Sequence, residues 1–168
     1  GMDFDVDSVN FCRSKKLNVS STPLSNEKAN SLKLITLFDV IEHLREPITF
    51  LKVANSKLKK NGNILMFTPN IHSVSSRLMG PDHNMFAVFN HLCFYNYSSL
   101  NYLVKKTGFK IIKIDYFGLD IKDYLQMVES KNKTVKLNKI LNKFSNIFQS
   151  ILDNNSLSNS MRIILKKI

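Results

Sequence analysis

The sequence predicts one α/β domain with a mostly parallel sheet, an antiparallel last strand and helices on both faces. The first observation is the run Leu34–Leu44, in which an apolar strand ends in acidic residues and a histidine. The second is the order strand, helix, strand over residues 32–67, the spacing of a right-handed crossover between parallel strands. The third is a pair of later strand patterns, Phe109–Phe117 and Met161–Leu165, which we expect to be antiparallel to each other.

The composition is typical of one globular domain, residues 1–168. The chain is 43% hydrophobic and has a net charge of +11, with 24 Lys and Arg against 13 Asp and Glu. The lysines are spread along the chain and no aromatic and basic module is present, so a nucleic-acid partner is not expected. Cys12 and Cys93 are far apart, which favours a reducing cytoplasm over disulfides or a metal site. No apolar run is long enough for a membrane span, so we expect a cytoplasmic protein.

The first part of the chain combines an acidic start with a helical pattern. Apolar residues spaced by three or four predict a helix that runs to Lys16, capped by Asp5 or Asp7. Leu17–Val19 is a candidate short strand, and residues 20–31 read as a polar linker.

The central crossover has recognisable start and stop signals. The strand Leu32–Phe38 is followed by a helix that begins at Pro47, because proline lacks an N–H group that a first helical turn does not need. We expect this helix to run to Lys60, with Asn61 and Gly62 forming the left-handed cap that ends it.

Two long segments separate the later strands. Residues 71–97 have no clear period, and a connection of this length is typical of a lid over a site. Ser98 or Ser99 is expected to cap the next helix. Residues 119–160 read as a helical insertion before the last strand. It has two pieces broken near residues 130–133 and an apolar stripe from Leu137 to Ile151.

Four segments of the chain form a specific set. They are L-I-T-L-F-D-V-I-E-H-L-R-E-P at 34–47, L-K-K-N-G-N-I-L-M-F-T-P-N at 58–70, N-H-L-C-F-Y-N-Y-S-S-L at 90–100 and T-G-F-K-I-I at 107–112. In this order they resemble the middle and C-terminal parts of Rossmann-like (class I) S-adenosylmethionine-dependent methyltransferases. The resemblance implies S-adenosylmethionine as cofactor and an incomplete sheet of the Rossmann-like type.

The resemblance also assigns a role to the acidic start. Residues 2–17 are similar to the family's second strand and helix, where an acidic residue binds the ribose hydroxyls of the cofactor. Asp3 fits this role best, with Phe4 beside it and Asp5 as the second choice. A carboxylate can accept two hydrogen bonds from a diol. The alternative is that Asp3 and Asp5 only precede and cap a helix.

By the same resemblance, Leu37, Phe38 and Asp39 line the cofactor after the central strand. His43 is a candidate general base because imidazole titrates near neutral pH; the alternative is a histidine that only positions the loop. His91, in the expected lid, is a second catalytic candidate that faces the acceptor, or a structural histidine. We expect the acceptor to be a small molecule or a sugar, and we predict no metal ligands.

The family's glycine-rich turn, which holds the methionine part of the cofactor, is missing from this sequence. Its five glycines are isolated: Gly1, Gly62, Gly80, Gly108 and Gly118. We therefore expect an N-terminally truncated domain without the family's first strand and helix, and impaired cofactor binding.

That missing strand lies beside Leu32–Phe38 in the family, so this strand would have an open apolar edge. Such edges pair with something, and we expect a homo-oligomer through it; the alternative is an N-terminal segment that has moved from its family position to cover it. An alternative function is a noncatalytic methyltransferase remnant that acts as an oligomerisation or interaction module.

Overall fold

A four-stranded mixed sheet forms the centre of the computed structural model. The structure describes residues 1–86, 91–131 and 136–168, except for the side chains of residues 136 and 137. The strands are β1 (Leu32–Phe38), β2 (Leu58–Pro69), β3 (Phe109–Phe117) and β4 (Ser160–Lys167), in the order β1-β2-β4-β3. β1 is parallel to β2, and β4 is antiparallel to both β2 and β3. The predicted fold class, a mostly parallel sheet with an antiparallel last strand, is confirmed.

Helices connect and flank these strands. They are α1 (Val6–Ser14), α2 (Pro47–Lys57), α3 (Val74–Met79), α4 (Tyr97–Lys106), α5 (Asp120–Ser130), α6 (Lys136–Lys143) and α7 (Ser145–Asn154). Within the residues that the structure describes, no helix has the length and apolar character needed to cross a membrane.

The hydrophobic core lies between one face of the sheet and helices α2 and α4. Alternate residues of the two inner strands point into it, because side chains alternate between the faces of a strand. Its fully buried members include Ile64 and Met66 of β2, Ile163 and Leu165 of β4, Leu51 of α2 and Leu100 of α4. This packing fixes β1 and β2 side by side and so sets the position of the loop that follows β1.

The opposite face of the sheet carries a row of aromatic rings. Phe38 stacks on Phe67 with 4.6 Å between ring centroids, and Phe67 meets Phe117 edge-on at 5.7 Å. The side chains of Leu34 and Phe38 are 53% and 49% exposed. β1 is an outer strand, and the described part of the chain pairs it with β2 alone.

The end of α2 differs from the prediction. The helix stops at Lys57, not Lys60, because β2 already begins at Leu58, which lies opposite Leu32 of β1. Asn61 does adopt the expected left-handed conformation, at φ +62°, but it lies inside the first part of β2 and not at a helix cap. The pairing of β1 with β2 shifts in register between Leu32 and Leu34, which lie opposite Leu58 and Asn63, and the extra residues around Asn61 are accommodated there.

Two helix caps are now defined. Asp5 and not Asp7 caps α1, since its carboxylate accepts a hydrogen bond of 2.8 Å from the backbone N–H of Ser8. Asn96, two to three residues before the predicted serines, caps α4, and Ser99 completes a reciprocal capping box with it.

The segment between β3 and β4 contains three described helices where the sequence predicted two pieces. α5 packs against α3 and α7, and a turn at Phe144 separates α6 from α7. Part of the predicted break, residues 132–133, and the side chain of Leu137 lie outside the described residues.

Candidate functional site

The end of β1 delivers polar residues to one edge of the sheet. Asp39 follows the last residue of the strand and adopts a left-handed conformation, φ +52°, with its N–H donating to the carbonyl of Phe67 at 3.2 Å. Aspartate tolerates this conformation better than most residues, and such positions cluster at functional sites. The chain then makes a short 3₁₀ turn, Ile41–His43, which buries Ile41 and Glu42 and leaves His43 exposed.

Backbone hydrogen bonds fasten this turn to a distant segment. The carbonyl of Glu42 accepts from the N–H groups of Leu92, at 2.8 Å, and Cys93, at 3.0 Å. The hydroxyl of Tyr95 donates to the carbonyl of Ile41 at 3.5 Å. The residues that follow β1 and those that precede α4 therefore form one unit.

This unit brings the two predicted catalytic histidines together. The ring centroids of His43 and His91 are 4.8 Å apart. Nδ1 of His91 lies 2.8 Å from the carbonyl oxygen of Met85. Because a carbonyl oxygen can only accept, Nδ1 carries the hydrogen, and in neutral His91 the lone pair is on Nε2.

The third member of this group is Glu42, whose side chain is 1% exposed. Its Oε2 accepts a hydrogen bond of 3.1 Å from Oγ1 of Thr68, whereas Oε1 has no partner among the described residues. Burial raises the pKa of Glu42, and the nearby charge of Asp39 adds to this effect. In the sequence, Glu42 is one of the acidic residues at the end of the run Leu34–Leu44, and it was given no role; its position directly before His43 was the available signal. Asp39, Glu42 and His43, which follow β1, are called the rim below.

A pocket of about 260 Å³ opens beside this group. His91 belongs to its lining together with residues of the expected lid and of the strand ends, namely Pro69, Met79, His83, Asn84, Met85, Asp123, Asn159 and Ser160. A volume of this size suits a small ligand.

A second polar cluster, which the sequence did not predict, borders the same pocket. Asp120 is 1% exposed and accepts four hydrogen bonds, from the backbone N–H (3.3 Å) and Oγ (2.6 Å) of Ser75, from Nε2 of Gln149 (3.1 Å) and from the N–H of Asn159 (2.9 Å). His83 lies 3.0 Å from Oγ of Ser75. Ser75 thus lies between His83 and Asp120, and these are the residue types of a serine nucleophile activated by a histidine base.

The direction of the hydrogen bonds excludes that role. Nδ1 of His83 accepts from the N–H of Met85 at 3.0 Å, so the hydrogen of neutral His83 is on Nε2, which donates to Ser75. Ser75 in turn donates to Asp120. His83 therefore has no lone pair to take the proton of Ser75. Burial also lowers the pKa of His83, which favours this neutral, structural form.

The predicted cofactor residues lie in two places. Asp3 follows a parallel bridge between Met2 and Ser20, and its Oδ1 accepts from the N–H of Asp5 at 3.0 Å. Phe4 is 71% exposed. No hydrogen bond joins these residues to the loop after β1 within the described ranges. At that loop Phe38 and Asp39 are open to solvent, while the side chain of Leu37 points into the core.

Comparison with known families gives a match over most of the chain. A family model described as "Methyltransferase domain" matches residues 4–114. No curated protein sequence matches the chain significantly.

Solved structures with a similar fold have little sequence identity. An S-adenosylmethionine-dependent methyltransferase from Archaeoglobus fulgidus is 22% identical with a TM-score of 0.66, over 99% of this chain and 75% of that one. A possible histamine N-methyltransferase from Thermotoga maritima is 14% identical with a TM-score of 0.64, over 100% and 72%.

A third structure, phosphoethanolamine N-methyltransferase 2 from Haemonchus contortus in complex with S-adenosyl-L-methionine, is 15% identical with a TM-score of 0.57, over 99% of this chain and 42% of that one. These likenesses concern the fold, and the family match agrees with them. The chain therefore belongs to the methyltransferase-domain family and has the fold of the class I S-adenosylmethionine-dependent methyltransferases.

Proposed function

We propose that this chain binds S-adenosylmethionine at the rim after β1 and methylates a small molecule or a sugar in the adjacent pocket. The observation that carries the proposal is the pairing of His43 with His91 at the carboxyl end of β1, beside the pocket of about 260 Å³. In open α/β sheets, ligands bind at the carboxyl ends of parallel strands.

The residues present fit part of the cofactor. Asp3 stands directly after the Met2–Ser20 bridge, and its position there suits the ribose hydroxyls. The exposed ring of Phe38 and the carboxylate of Asp39 would line the same ligand, with Leu37 contributing backbone. When bound, the cofactor supplies an electrophilic methyl group on a sulfonium.

On the acceptor side, the proposed work of the chain is orientation and proton removal. His91 lines the pocket, and its Nε2 lone pair is fixed by the hydrogen bond from Nδ1 to Met85. If an acceptor hydroxyl or amine is held near Nε2, His91 can take the proton of the acceptor. General base catalysis of this kind typically raises the reaction rate by about 10² to 10⁴. His43, which lies against the ring of His91, is the second candidate for this role.

A small acceptor is supported by the pocket and by the names of two fold relatives. One is described as a possible histamine N-methyltransferase and one as a phosphoethanolamine N-methyltransferase. Both names specify small substrates.

We expect cofactor binding to be weak. The five isolated glycines provide no turn whose backbone could approach the methionine part of the cofactor. The proposal is therefore an impaired methyltransferase when this chain acts alone.

Calorimetry with S-adenosylmethionine tests the proposal. We expect saturable binding to the wild-type chain and a reduction of about tenfold or more in Asp3→Asn, since one neutral amide replaces a carboxylate that accepts from the diol. Asp7→Asn, an exposed acid in the first turn of α1, is the matched control and should bind like wild type. Absence of binding by folded protein would refute the proposal.

A second candidate function is a noncatalytic module that associates with another copy of itself. The observation in its favour is the outer strand β1, where Leu34 is 53% exposed and Phe38 is 49% exposed. Unpaired strand edges with apolar side chains are common sites of strand addition.

Light scattering after gel filtration tests this association. We expect a dimer that Leu34→Lys converts to a monomer, because a charge on β1 opposes strand pairing. Ile112→Lys, which places the same charge at a 50% exposed residue of the other outer strand, β3, should leave the dimer intact. A monomeric wild type contradicts the idea.

A further inference from the structure

We propose that Glu42, His43 and His91 bind a divalent transition-metal cation. Each of these side chains offers one ligand atom, and the three atoms lie within 4.8 Å of one another. Two imidazoles and one carboxylate are a ligand set that suits zinc, iron, cobalt or manganese and leaves further positions on the cation open.

The strongest support is the carboxylate of Glu42. It is 1% exposed, and its Oε1 has no hydrogen-bond partner in the part of the chain that the structure describes. A buried polar atom without a partner is unfavourable and is uncommon in folded proteins. A cation next to this oxygen would satisfy it.

Protonation of Glu42 is the alternative. Oε2 already accepts from Thr68, so a proton would sit on Oε1 and turn it into a donor, which would need an acceptor such as the Nε2 lone pair of His91. A cation would instead bind the ionised carboxylate, and the Co²⁺ titration below distinguishes the two.

The two histidines are arranged as metal ligands commonly are. His91 donates its Nδ1 hydrogen to the carbonyl of Met85, which holds the ring in place and directs the Nε2 lone pair away from that contact. Metal-bound histidines typically have such a second hydrogen bond. His43 lies 4.8 Å from His91 between ring centroids, and its imidazole offers the third ligand atom of the group.

The distances require only a small adjustment. Ligand atoms bind zinc at about 2.0 to 2.2 Å, so neighbouring ligands on one cation are about 3 Å apart. Closing the group from 4.8 Å needs side-chain rotation without movement of the turn, since the carbonyl of Glu42 remains bonded to Leu92 and Cys93. The nearby carboxylate of Asp39 adds negative charge that attracts a cation.

If the proposed function holds, the cation would also act on the acceptor. An acceptor hydroxyl bound to the cation would lose its proton more readily, and the proton would pass to water, because the Nε2 lone pair of His91 would be held by the cation. His91 would act as the base itself only in the chain without the cation. This consequence rests on the proposed function, whereas cation binding itself does not.

Titration of the untagged wild-type chain with Co²⁺, without cofactor or acceptor, tests the site. We expect one equivalent to bind with visible absorption bands, Zn²⁺ to displace it, and the melting temperature to rise with the cation concentration. Glu42→Gln and His91→Asn should each weaken Co²⁺ binding about tenfold or more. Asparagine keeps a side-chain N–H for Met85 and removes Nε2.

His72→Asn is the matched control. His72 is an exposed histidine outside the group and contacts Asn96, so its loss should not change Co²⁺ binding. Binding that survives either Glu42→Gln or His91→Asn, or that is absent from folded wild type at millimolar Co²⁺, overturns the proposal. Failure of methyl transfer with Co²⁺ binding intact would instead refute the proposed function alone.

Discussion

Two histidine-containing clusters border the same pocket and differ in how their buried carboxylates are satisfied. Asp120 accepts hydrogen bonds from three residues on both of its oxygens. Glu42 accepts one through Oε2 and none through Oε1 within the described ranges. Both carboxylates are equally buried, at 1% exposure.

The difference indicates different roles. A fully bonded carboxylate holds together the parts of the chain that donate to it, here α3, α7 and the residue before β4, and leaves nothing to offer a ligand. A buried carboxylate with an unused oxygen weakens the fold until something binds it. We therefore interpret the Asp120 cluster as structural and the Glu42 cluster as a binding site.

Of the substitutions that test this difference, Asp120→Ala should have the largest effect. Removing the carboxylate leaves the donors on Ser75, Gln149 and Asn159 without their acceptor, so we expect the free energy of unfolding to fall by about 3 to 4 kcal/mol. Urea denaturation followed by circular dichroism measures this change.

Asp82→Ala provides the control for that substitution. Asp82 forms an exposed ion pair with Lys131, and exposed pairs contribute about 1 kcal/mol or less. If both alanine variants lose the same small amount, the Asp120 network does not stabilise the fold and the comparison fails.

The next test is the pH dependence that His83 confers. Burial lowers its pKa from 6.5, so the unfolded chain binds this proton more readily than the folded chain. Stability contributed by neutral His83 is thus present above pH 6.5 and is lost as the pH falls toward the lowered pKa. Each tenfold difference in proton affinity between the two states corresponds to about 1.4 kcal/mol. Protonation would also place an N–H of His83 against the N–H of Met85.

Urea denaturation at pH 7.5 and 5.5 measures this loss. His83→Gln, which cannot titrate, should show a smaller decrease over the same range. An identical decrease in both proteins would mean that His83 is not held neutral, and the structural interpretation of its cluster would be weakened.

The smallest expected effect is that of Glu42→Gln measured with a metal chelator present. Because Oε1 of Glu42 has no described partner, loss of the charge should leave stability within about 1 kcal/mol of wild type, or above it. The pKa of Glu42 is raised, so any gain should be largest at neutral pH and should vanish as the pH falls below the ordinary value of 4.5. A large loss at pH 7 would show that Glu42 supports the fold as Asp120 does.

Much of the rim could be predicted from the sequence because its residues are contiguous. The apolar run that ends in Asp39 and continues to Glu42 and His43 specifies a buried strand followed by a polar turn, and the structure has both. The family resemblance added His91. The end of α2 was misplaced because Asn61 and Gly62 look like a helix cap, although strand pairing of Leu58 ends the helix first.

The Asp120 cluster could not be predicted, since nothing local marks it. Ser75 and Asp120 are 45 positions apart, and Asn159 is another 39 beyond. Each residue alone is an ordinary polar residue, and Asp120 reads as a favourable acid in the first turn of α5. Their meeting depends on how α5 packs against α3, which no periodicity in the sequence specifies.

The hydrogen bonds that fasten the rim turn to the residues before α4 have a consequence for folding. They join positions 50 to 54 apart in the chain, as in Leu92 to Glu42 and Tyr95 to Ile41, and contacts of such separation form later than local ones because a long loop must close first. A partly folded chain could have β1 and β2 paired but no assembled rim. Ligand binding at the rim is therefore expected to return only after the turn that follows β1 and the residues before α4 have met, so it reports on this long-range assembly and not on β1 and β2 alone.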